Sequence, residues 1–499
     1  MKKNILLLVI LMAVLLSACS NNIADGGSDV STTAAVTDRV VDETVVENGE
    51  TSRSQVKDTL PENLDFEGVA VRILARDDGM GLATEIAAPE NTGDIVEDAV
   101  YDRNIKVEER LNVVIEPIYV NQNVHGGDVI NGLLRKSVLA GDNQYDITAN
   151  HMSQLTPLIL ESCLTNLNKL DYINFEQPWW NQSFKEQIEV DNKLYYAVGD
   201  LSLTMTKAMY ISFINLDLYE DNFPNDNIYD VVLDGDWTLS KMQEYCKVIY
   251  RDLNGDGNID VNDQFGYMVN KGGIHCDAMM GATNVHIIDN TGDIPVFVLD
   301  NERTYKFVET YSALLYSDNC TFLTTDGDDK FVQHFKDGQS LFTTFMLAST
   351  EEYRDMEADY GMLPLPKLDD SQPEYTGWTH NGFSAFAIVN TTGIADIAAC
   401  VLEAMCAESY RHVTEAYFEV ALKVKYARDD VSSQMLDLIQ ESIVFDFGMV
   451  YSQALESVMQ MFREVANSAN FNTASKIASK LSVSQKKLDD LLLKYSELE

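Results

Sequence analysis

The chain has 499 residues, of which 45% are hydrophobic, and its 79 acidic and 36 basic side chains give a formal net charge of −43. This hydrophobic fraction is enough for one large core or two domains, which excludes a mostly disordered chain. The acidic excess repels phosphate backbones, so nucleic acid is a poor partner. It also disfavours highly anionic ligands, whereas many carboxylates suit an exposed protein that binds divalent cations.

The N-terminus has the pattern of an export signal. Lys2 and Lys3 precede an apolar run over 5–16 that is too short to span a bilayer, and Leu16-Ser17-Ala18-Cys19 follows. This order predicts a signal peptide over 1–18. The last four residues resemble the lipobox of bacterial lipoproteins, which implies that Cys19 is lipidated, with palmitate among the expected chains. The alternative is an ordinary cleavage site beside an unrelated Cys.

Residues 19–60 are predicted to be a flexible stalk, because they are rich in Ser, Thr, Asn, Gly and acidic residues without a sustained period. No later segment has 18 consecutive uncharged apolar residues. We therefore expect the protein to be held by its lipid at the extracellular face of the bacterial cell membrane. The six remaining cysteines form no CxxC pair and are expected to be buried free thiols, although export would permit disulfides.

From residue 64 onward, short apolar strands alternate with amphipathic helices. The pattern predicts strands at 69–74 and 113–118, helices at 94–110, 130–139 and 239–250, and a strand that ends at Tyr145-Asp146-Ile147. This alternation is typical of a doubly wound α/β fold.

The order of short motifs resembles the extracellular solute-binding proteins of ABC importers, in particular the carbohydrate-binding group called family 1. The matching segments are Tyr145-Asp146-Ile147, Leu164-Thr165-Asn166-Leu167, Gln177-Pro178-Trp179-Trp180, 193–200, Phe213-Ile214-Asn215-Leu216-Asp217-Leu218, Trp237-Thr238-Leu239, 335–342, 360–366 and 377–389. The segment 360–366, YGMLPLP, matches the family pattern YGxxPLP. Two departures are Ile214 in place of a Tyr and the missing Gly before Leu164.

The resemblance implies a two-lobed, type II periplasmic-binding-protein-like fold. The expected lobes are 61–203 with 380–430, and 204–379 with 431–499. It further implies a monomer that captures a sugar or oligosaccharide by closing its hinge and delivers it to a membrane permease. Two alternatives remain open: a surface enzyme that acts on glycans, and the ligand-binding component of a sensor system. Motifs of several enzyme classes (GxSxG, HExxH, GxxxxGK[ST] and GxGxxG) are absent from the sequence. A glycosidase needs only two carboxylates brought together by the fold, so the sequence leaves the enzyme alternative open. The resemblance argues against it and implies a non-enzyme.

The segment Asp252–Asp263 matches a twelve-residue Ca²⁺ loop. Oxygen donors stand at positions 1, 3, 5, 9 and 12, Gly257 occupies the position of the sharp turn, and the carbonyl of position 7 completes the set. We expect a structural Ca²⁺, because the loop occurs once. The predicted ligands are Asp252, Asn254, Asp256, Asn258, Asp260 and Asp263. The alternative is a polar turn that binds nothing.

Sugars favour flat aromatic faces and planar polar side chains, and α/β proteins place ligands beyond the carboxyl ends of their strands. Because adjacent Trp residues are expected to point differently, at most one of Trp179 and Trp180 is expected to line a cleft, and the other is expected in the core. For Trp378, ligand contact and core packing are equal alternatives. Trp237 is expected in the core. The candidate ligand-binding residues are Asp146, Trp179, Trp180, Asp200, Tyr210, Trp378 and Asn381. For the two acids and Asn381 a capping or turn role is an equal alternative.

Overall fold

The structure is a computed structural model, and it describes residues 52–77, 83–122, 128–292, 294–325, 330–418 and 430–498. The predicted signal peptide, Cys19 and the stalk up to residue 51 lie outside these residues. Strands and helices are numbered below in chain order.

The first sheet has the strand order β11-β3-β1-β2. Its parallel strands are β1 (Val69–Asp77), β2 (Val113–Asn121) and β3 (Ile147–His151), and β11 (Ser384–Ile388) pairs with β3 in the antiparallel sense. The two strands predicted from periodicity are therefore confirmed. β11 returns to this sheet after more than 200 intervening residues, which places its pairing beyond the reach of local patterns.

The second sheet has the order β10-β4-β9-β5-β8. Its strands are β4 (Tyr210–Asn215), β5 (Phe265–Asn270), β8 (Thr321–Thr324), β9 (Ser340–Met346) and β10 (Tyr360–Leu363). A separate hairpin joins β6 (Ile288–Asp289) and β7 (Val296–Phe297). β5, β8 and β9 are parallel, so the carboxyl ends of these three strands share one edge of the sheet.

Helices surround both sheets. They are α1 (Ile95–Leu111), α2 (Val129–Ala140), α3 (Leu155–Leu160), α4 (Gln182–Ile188), α5 (Leu203–Lys207), α6 (Leu216–Asn222), α7 (Ile228–Leu233), α8 (Leu239–Ile249), α9 (Ile274–Ala282), α10 (Glu302–Tyr316), α11 (Lys330–Lys336), α12 (Ala395–Glu408), α13 (Asp430–Glu441), α14 (Phe447–Val450) and α15 (Thr473–Glu497). A π-helical turn, Ser409–Val413, extends α12, and a 3-10 segment, Met459–Asn467, precedes α15.

Helix α1 shows how local sequence sets these bounds. Asp94 caps the helix by accepting from the amides of Val96 and Glu97, and Asn112 ends it in the left-handed conformation. Val100 and Val107 lie on its buried face, which packs towards α12. The amphipathic helices predicted at 94–110, 130–139 and 239–250 are all present, each within one or two residues.

Within the described residues, two segments, 208–210 and 377–380, lead from one sheet to the other, and a third, 442–444, joins α13 to α14 and pairs with the second. We call these segments crossings one, two and three. Met209 pairs with Thr379, and Gly377 pairs with Ile443. The supporting backbone bonds run from Tyr210 N to Trp378 O (3.0 Å), from His380 N to Ala208 O (3.0 Å), from Gly377 N to Ser442 O (2.8 Å) and from Val444 N to Gly377 O (3.2 Å). The two sheets thus form two lobes joined by one hydrogen-bonded ribbon.

The first lobe begins earlier than predicted, because residues 52–60 pack against it. The Asp58 carboxylate accepts from Arg110 (2.7 Å) and from Arg411 (2.8 Å), and Leu60 is 5% exposed. The composition of this segment resembles a stalk, but its partners lie 52 and 353 residues away in sequence. Local composition could not predict such contacts.

The C-terminal segment 447–498, predicted to belong to lobe two, contacts both lobes. The Arg463 guanidinium pairs with Asp277 of α9 in lobe two, while Lys193 Nζ of lobe one donates to the carbonyl of Tyr495 (2.8 Å). Among the described residues no helix is long and apolar enough to cross a membrane. The six cysteines after Cys19 all lie within the described part, and all are buried free thiols as predicted.

Candidate functional site

A cavity of about 390 Å³ lies against the ribbon that joins the lobes, and we call it the hinge cavity. Its wall includes three residues predicted from sequence, Trp179, Trp180 and Asp200. The wall also includes apolar residues: Met205 of α5, Met209 of crossing one and Ile443 of crossing three. Because its wall includes residues from two crossings, the shape of this cavity depends on how the lobes are oriented.

Sheet pairing brings the three predicted residues together. Ala197 pairs with Phe386 of β11, so the segment that follows runs towards the carboxyl edge of sheet one. Trp180 pairs with Gly199, and the Asp200 amide donates to the carbonyl of Trp179 (2.9 Å). A Cβ at Gly199 would stand 2.4 Å from that carbonyl oxygen, so this close approach requires glycine.

Asp200 supplies the acid of the cavity. Its carboxylate accepts from the Thr414 hydroxyl (2.6 Å) and lies 4.0 Å from the Arg53 guanidinium, which covers the Tyr410 ring at 4.6 Å. Burial raises the pKa of Asp200 to about 6, against the opposing effects of Thr414 and Arg53. The side chain is 19% exposed, so it can reach a molecule in the cavity.

Trp179 and Trp180 do not diverge as predicted. Both indole N–H groups donate to the carboxylate of Glu403, at 3.2 Å from Trp179 to Oε1 and 2.8 Å from Trp180 to Oε2. Both side chains are nearly fully buried, at 0% and 2% exposed. The expectation that adjacent tryptophans point differently fails because the main chain bends at the bridge to Gly199, so that both rings face α12.

Sequence reasoning missed Glu403. It is one of ten consecutive buried residues, 398–407, in α12, and its other neighbours in that run are apolar or Cys. A single carboxylate in such a stretch is the signal that could have identified it, because a buried charge requires partners.

The predicted residues Tyr210, Trp378 and Asn381 lie together on or beside crossings one and two. Trp378 is 2% exposed, packs on Phe445 (ring centroids 5.4 Å apart) and stands close to the backbone of α9 at Gly281. Tyr210 is 2% exposed, whereas Asn381 is only half-buried. None of the three is among the residues that line the hinge cavity with Asp200. Trp237 lies in the core as predicted, with its indole donating to the carbonyl of Pro364 (2.9 Å).

Asp146 lies far from the other candidates. It precedes β3, so it stands at the amino end of that strand and not, as predicted, beyond a carboxyl end. Its buried carboxylate accepts from Nε (2.8 Å) and Nη2 (2.9 Å) of Arg72 and from the hydroxyl of Thr392 (2.6 Å). The sequence could not show which end of the strand these residues occupy, because Tyr145-Asp146-Ile147 fits either end.

The predicted Ca²⁺ loop joins α8 to β5, at the end of β5 that is remote from the shared carboxyl edge. Asp252 accepts from the amides of Gly255 (2.7 Å) and Gly257 (2.9 Å), and Gly257 has φ of 75°. Asp263 is fully buried, and its Oδ1 has no hydrogen-bond partner among the described residues.

The donor set of the loop fits a hard cation. An orphaned, buried carboxylate oxygen is costly unless a positive charge compensates it, and Asp, Asn and carbonyl oxygens are the donors that Ca²⁺ prefers. No three His, Cys, Asp or Glu side chains of the described residues converge as a metal cluster, so a cation here would also need the Asn and main-chain oxygens.

Comparison with known proteins places the fold. No family model and no curated protein matches this sequence. Among solved structures, the sugar-binding protein MalE from Xanthomonas citri aligns with a TM-score of 0.57 at 11% identity, covering 86% of this chain and 98% of that one. The galacto-N-biose/lacto-N-biose I-binding protein of an ABC transporter from Bifidobacterium longum aligns at 0.55 and 13%, covering 87% and 98%.

This chain has the fold of sugar-binding proteins of ABC transporters. A cyclo/maltodextrin-binding protein in complex with maltotetraose gives a further alignment, with a TM-score of 0.55 at 10% identity over 85% of this chain and 98% of that one. At these identities the comparisons establish the fold, and they confirm the predicted two-lobed α/β architecture. The function has to be argued from the hinge and its cavity.

Proposed function

We propose that this protein is the substrate-binding component of an ABC importer, which captures a sugar or oligosaccharide and presents it to a membrane permease. The observation that carries the proposal is the hydrogen-bonded ribbon of three crossings with a cavity against it. A ligand that contacts both lobes favours the closed state by its difference in affinity for the two states. Binding and hinge closure need no covalent step, in agreement with the binding proteins that share this fold.

The cavity wall suits a neutral polar ligand. Trp179, Trp180 and Tyr410 line it beside Asn181, Gln182 and Gln440. Aromatic rings pack against the C–H faces of sugars, and amides match hydroxyl groups. The single guanidinium at Arg53 is offset by Asp200, and the chain carries a net charge of −43, so a polyanionic ligand would be repelled.

The direct test is a thermal-shift and calorimetry screen of the chain from Ser20, against maltose, maltotetraose, lacto-N-biose, a uronate oligosaccharide and a mixed peptide. A ligand at one hundred times its dissociation constant should stabilise the protein by about 2.7 kcal/mol. We expect Asp200→Asn to lower the affinity of the protein for the sugar that stabilises it. The control variant Asp171→Asn, at an exposed position, should leave that affinity unchanged. If peptide stabilises the chain and no sugar does, the carbohydrate proposal is wrong.

Import is tested in cells. Deletion of the gene should abolish uptake of the radiolabelled form of the stabilising sugar, and the wild-type gene should restore it. Unchanged uptake, with binding intact, would contradict the importer role and favour a sensor component.

We also propose that Cys19 carries the lipid that holds the protein at the extracellular face of the cell membrane. The support is the order of charged, apolar and small residues before it. Metabolic labelling with an alkyne fatty acid should mark the wild-type protein, and Cys19→Ser should remove the label and release the protein into the medium. A labelled Cys19→Ser variant would refute the assignment.

We propose that the loop Asp252–Asp263 holds a structural Ca²⁺. Tyr250 donates to Oδ2 of Asp263 (3.4 Å), so its ring is close enough to sensitise Tb³⁺ bound in the loop. We expect saturable, Ca²⁺-displaceable Tb³⁺ emission that falls in Tyr250→Phe and is lost in Asp263→Asn. The exposed Asp234→Asn serves as the control. Emission that is equal in Asp263→Asn would refute the site.

A further inference from the structure

We infer that Glu403 is a positioning residue whose carboxylate holds both indoles in the wall of the hinge cavity, and whose protonation releases one of them. The inference rests on the proposed function in one respect only, namely that the hinge cavity is where the sugar binds. It adds a pH dependence to that site.

The geometry is a convergence of three N–H donors on one carboxylate. Oε1 accepts from Trp179 (3.2 Å), and Oε2 accepts from Trp180 (2.8 Å) and from the backbone amide of Asn174 (3.2 Å). Indole nitrogens are donors only, so these contacts require acceptors on both oxygens. The side chain is fully buried, which prevents water from replacing a lost acceptor.

Protonation disfavours this arrangement. The added proton turns one oxygen into a hydroxyl, which is a weaker acceptor and also a donor that needs an acceptor of its own. The three N–H groups around it cannot accept, so the hydroxyl stays unsatisfied and the N–H bond to its oxygen is weakened. An unpaired indole N–H in a buried site is unfavourable, and the ring would have to turn towards a new acceptor. Both residues line the cavity with side chains that are 0% and 2% exposed, so a ring that turned out of its buried position would alter the surface that a ligand meets.

The surroundings place this ionisation in the physiological range. Burial raises the pKa of Glu403 to about 7 against the lowering effect of the three donors, and the negative charge of Asp58 raises it further. The other groups that face this site are the thiols of Cys400 and Cys406, with pKa values raised by burial, and Arg411, which covers Trp179 at 5.9 Å. Asp200 titrates within the same cavity, so an experiment must separate the two acids.

Tryptophan emission of the ligand-free chain provides the test. A Trp237→Phe/Trp378→Phe background leaves only the two indoles in question among the four tryptophans of the chain. We expect the emission maximum and the acrylamide quenching to titrate between pH 5.5 and 8.5. The transition should vanish in Glu403→Gln and persist in Asp200→Asn. In Trp180→Phe, which lacks one donor, its midpoint should move to higher pH.

The inference is overturned if the background protein shows no transition in this range. This test does not depend on whether a Glu403 variant folds. The inference is also overturned if Glu403→Gln titrates like its parent. The ligand arm is separate and uses Asp200→Asn as its background, so that Asp200 does not contribute to the pH dependence. In that background the affinity for the stabilising sugar should fall by about tenfold from pH 8 to pH 6, the effect of losing one hydrogen bond to a charged group, and the fall should be absent when Glu403→Gln is added. Titrating emission without sugar binding would refute the proposed function and leave the positioning role intact, whereas sugar binding without either pH effect would refute the positioning role.

Discussion

Replacing Asp146 by Asn discriminates between a structural and a ligand-binding role for this residue. The carboxylate is fully buried, binds the Arg72 guanidinium through two nitrogens and accepts from Thr392. Breaking a buried ion pair from one side costs about 3–5 kcal/mol. The Arg72 side chain is 31% exposed and can regain water, so we expect the lower part of that range, about 3 kcal/mol.

Urea unfolding followed by circular dichroism measures this loss, with Asp171→Asn as a surface control that should change stability by less than about 0.5 kcal/mol. Affinity for the stabilising sugar, measured at a temperature where the variant is folded, should be unchanged. If Asp146→Asn has native stability but has lost the sugar, then the carboxylate contacts ligand and the structural reasoning is wrong.

Three further predictions follow from the described contacts. Burial acts to raise the pKa of Asp58, but its hydrogen bonds to two arginines lower that pKa overall to about 2. About 2 kcal/mol of folding stability should therefore be lost as the pH falls from about 4 to 2. In urea melts, Asp58→Asn should abolish that part of the acid dependence. Gly199→Ala should destabilise the chain by roughly 2–3 kcal/mol in the same assay, because its Cβ would overlap the Trp179 carbonyl; unchanged stability would contradict that geometry. The buried thiols should react with a thiol reagent only after unfolding, and fast labelling of the folded chain would contradict their burial.

Much of the fold could be predicted because the relevant signals are local. Helix α1 follows from its Asp94 cap and the spacing of its apolar residues, and the apolar runs at 69–74 and 113–118 give β1 and β2. The sequence could not show whether Tyr145-Asp146-Ile147 begins or ends β3, because the pattern is the same at either end of a strand. The docking of residues 52–60 was also hidden, since the arginines that hold Asp58 are distant in sequence.

The candidate site was predicted only in part, because the sequence does not show which groups each side chain contacts in the folded protein. Asp200 was chosen because α/β proteins place ligands beyond the carboxyl ends of their strands, and the structure puts it in the wall of the hinge cavity. The tryptophans were chosen because sugars stack on aromatic rings, but nothing in a Trp-Trp pair reveals that both N–H groups are already bound. Their common acceptor is Glu403, which lies 224 residues after Trp179 and 223 after Trp180 in the sequence.

The same comparison suggests how buried acids in such chains should be read. Asp146 is paired with the Arg72 guanidinium, so this buried carboxylate serves the fold. The hydrogen bonds that Glu403 accepts come from neutral N–H donors, which favour the ionised form less strongly than a cation does. A carboxylate of the second kind sits near the balance between its two states. It can therefore respond to pH, and its effect reaches a ligand only if the residues that donate to it line the site, as Trp179 and Trp180 do here.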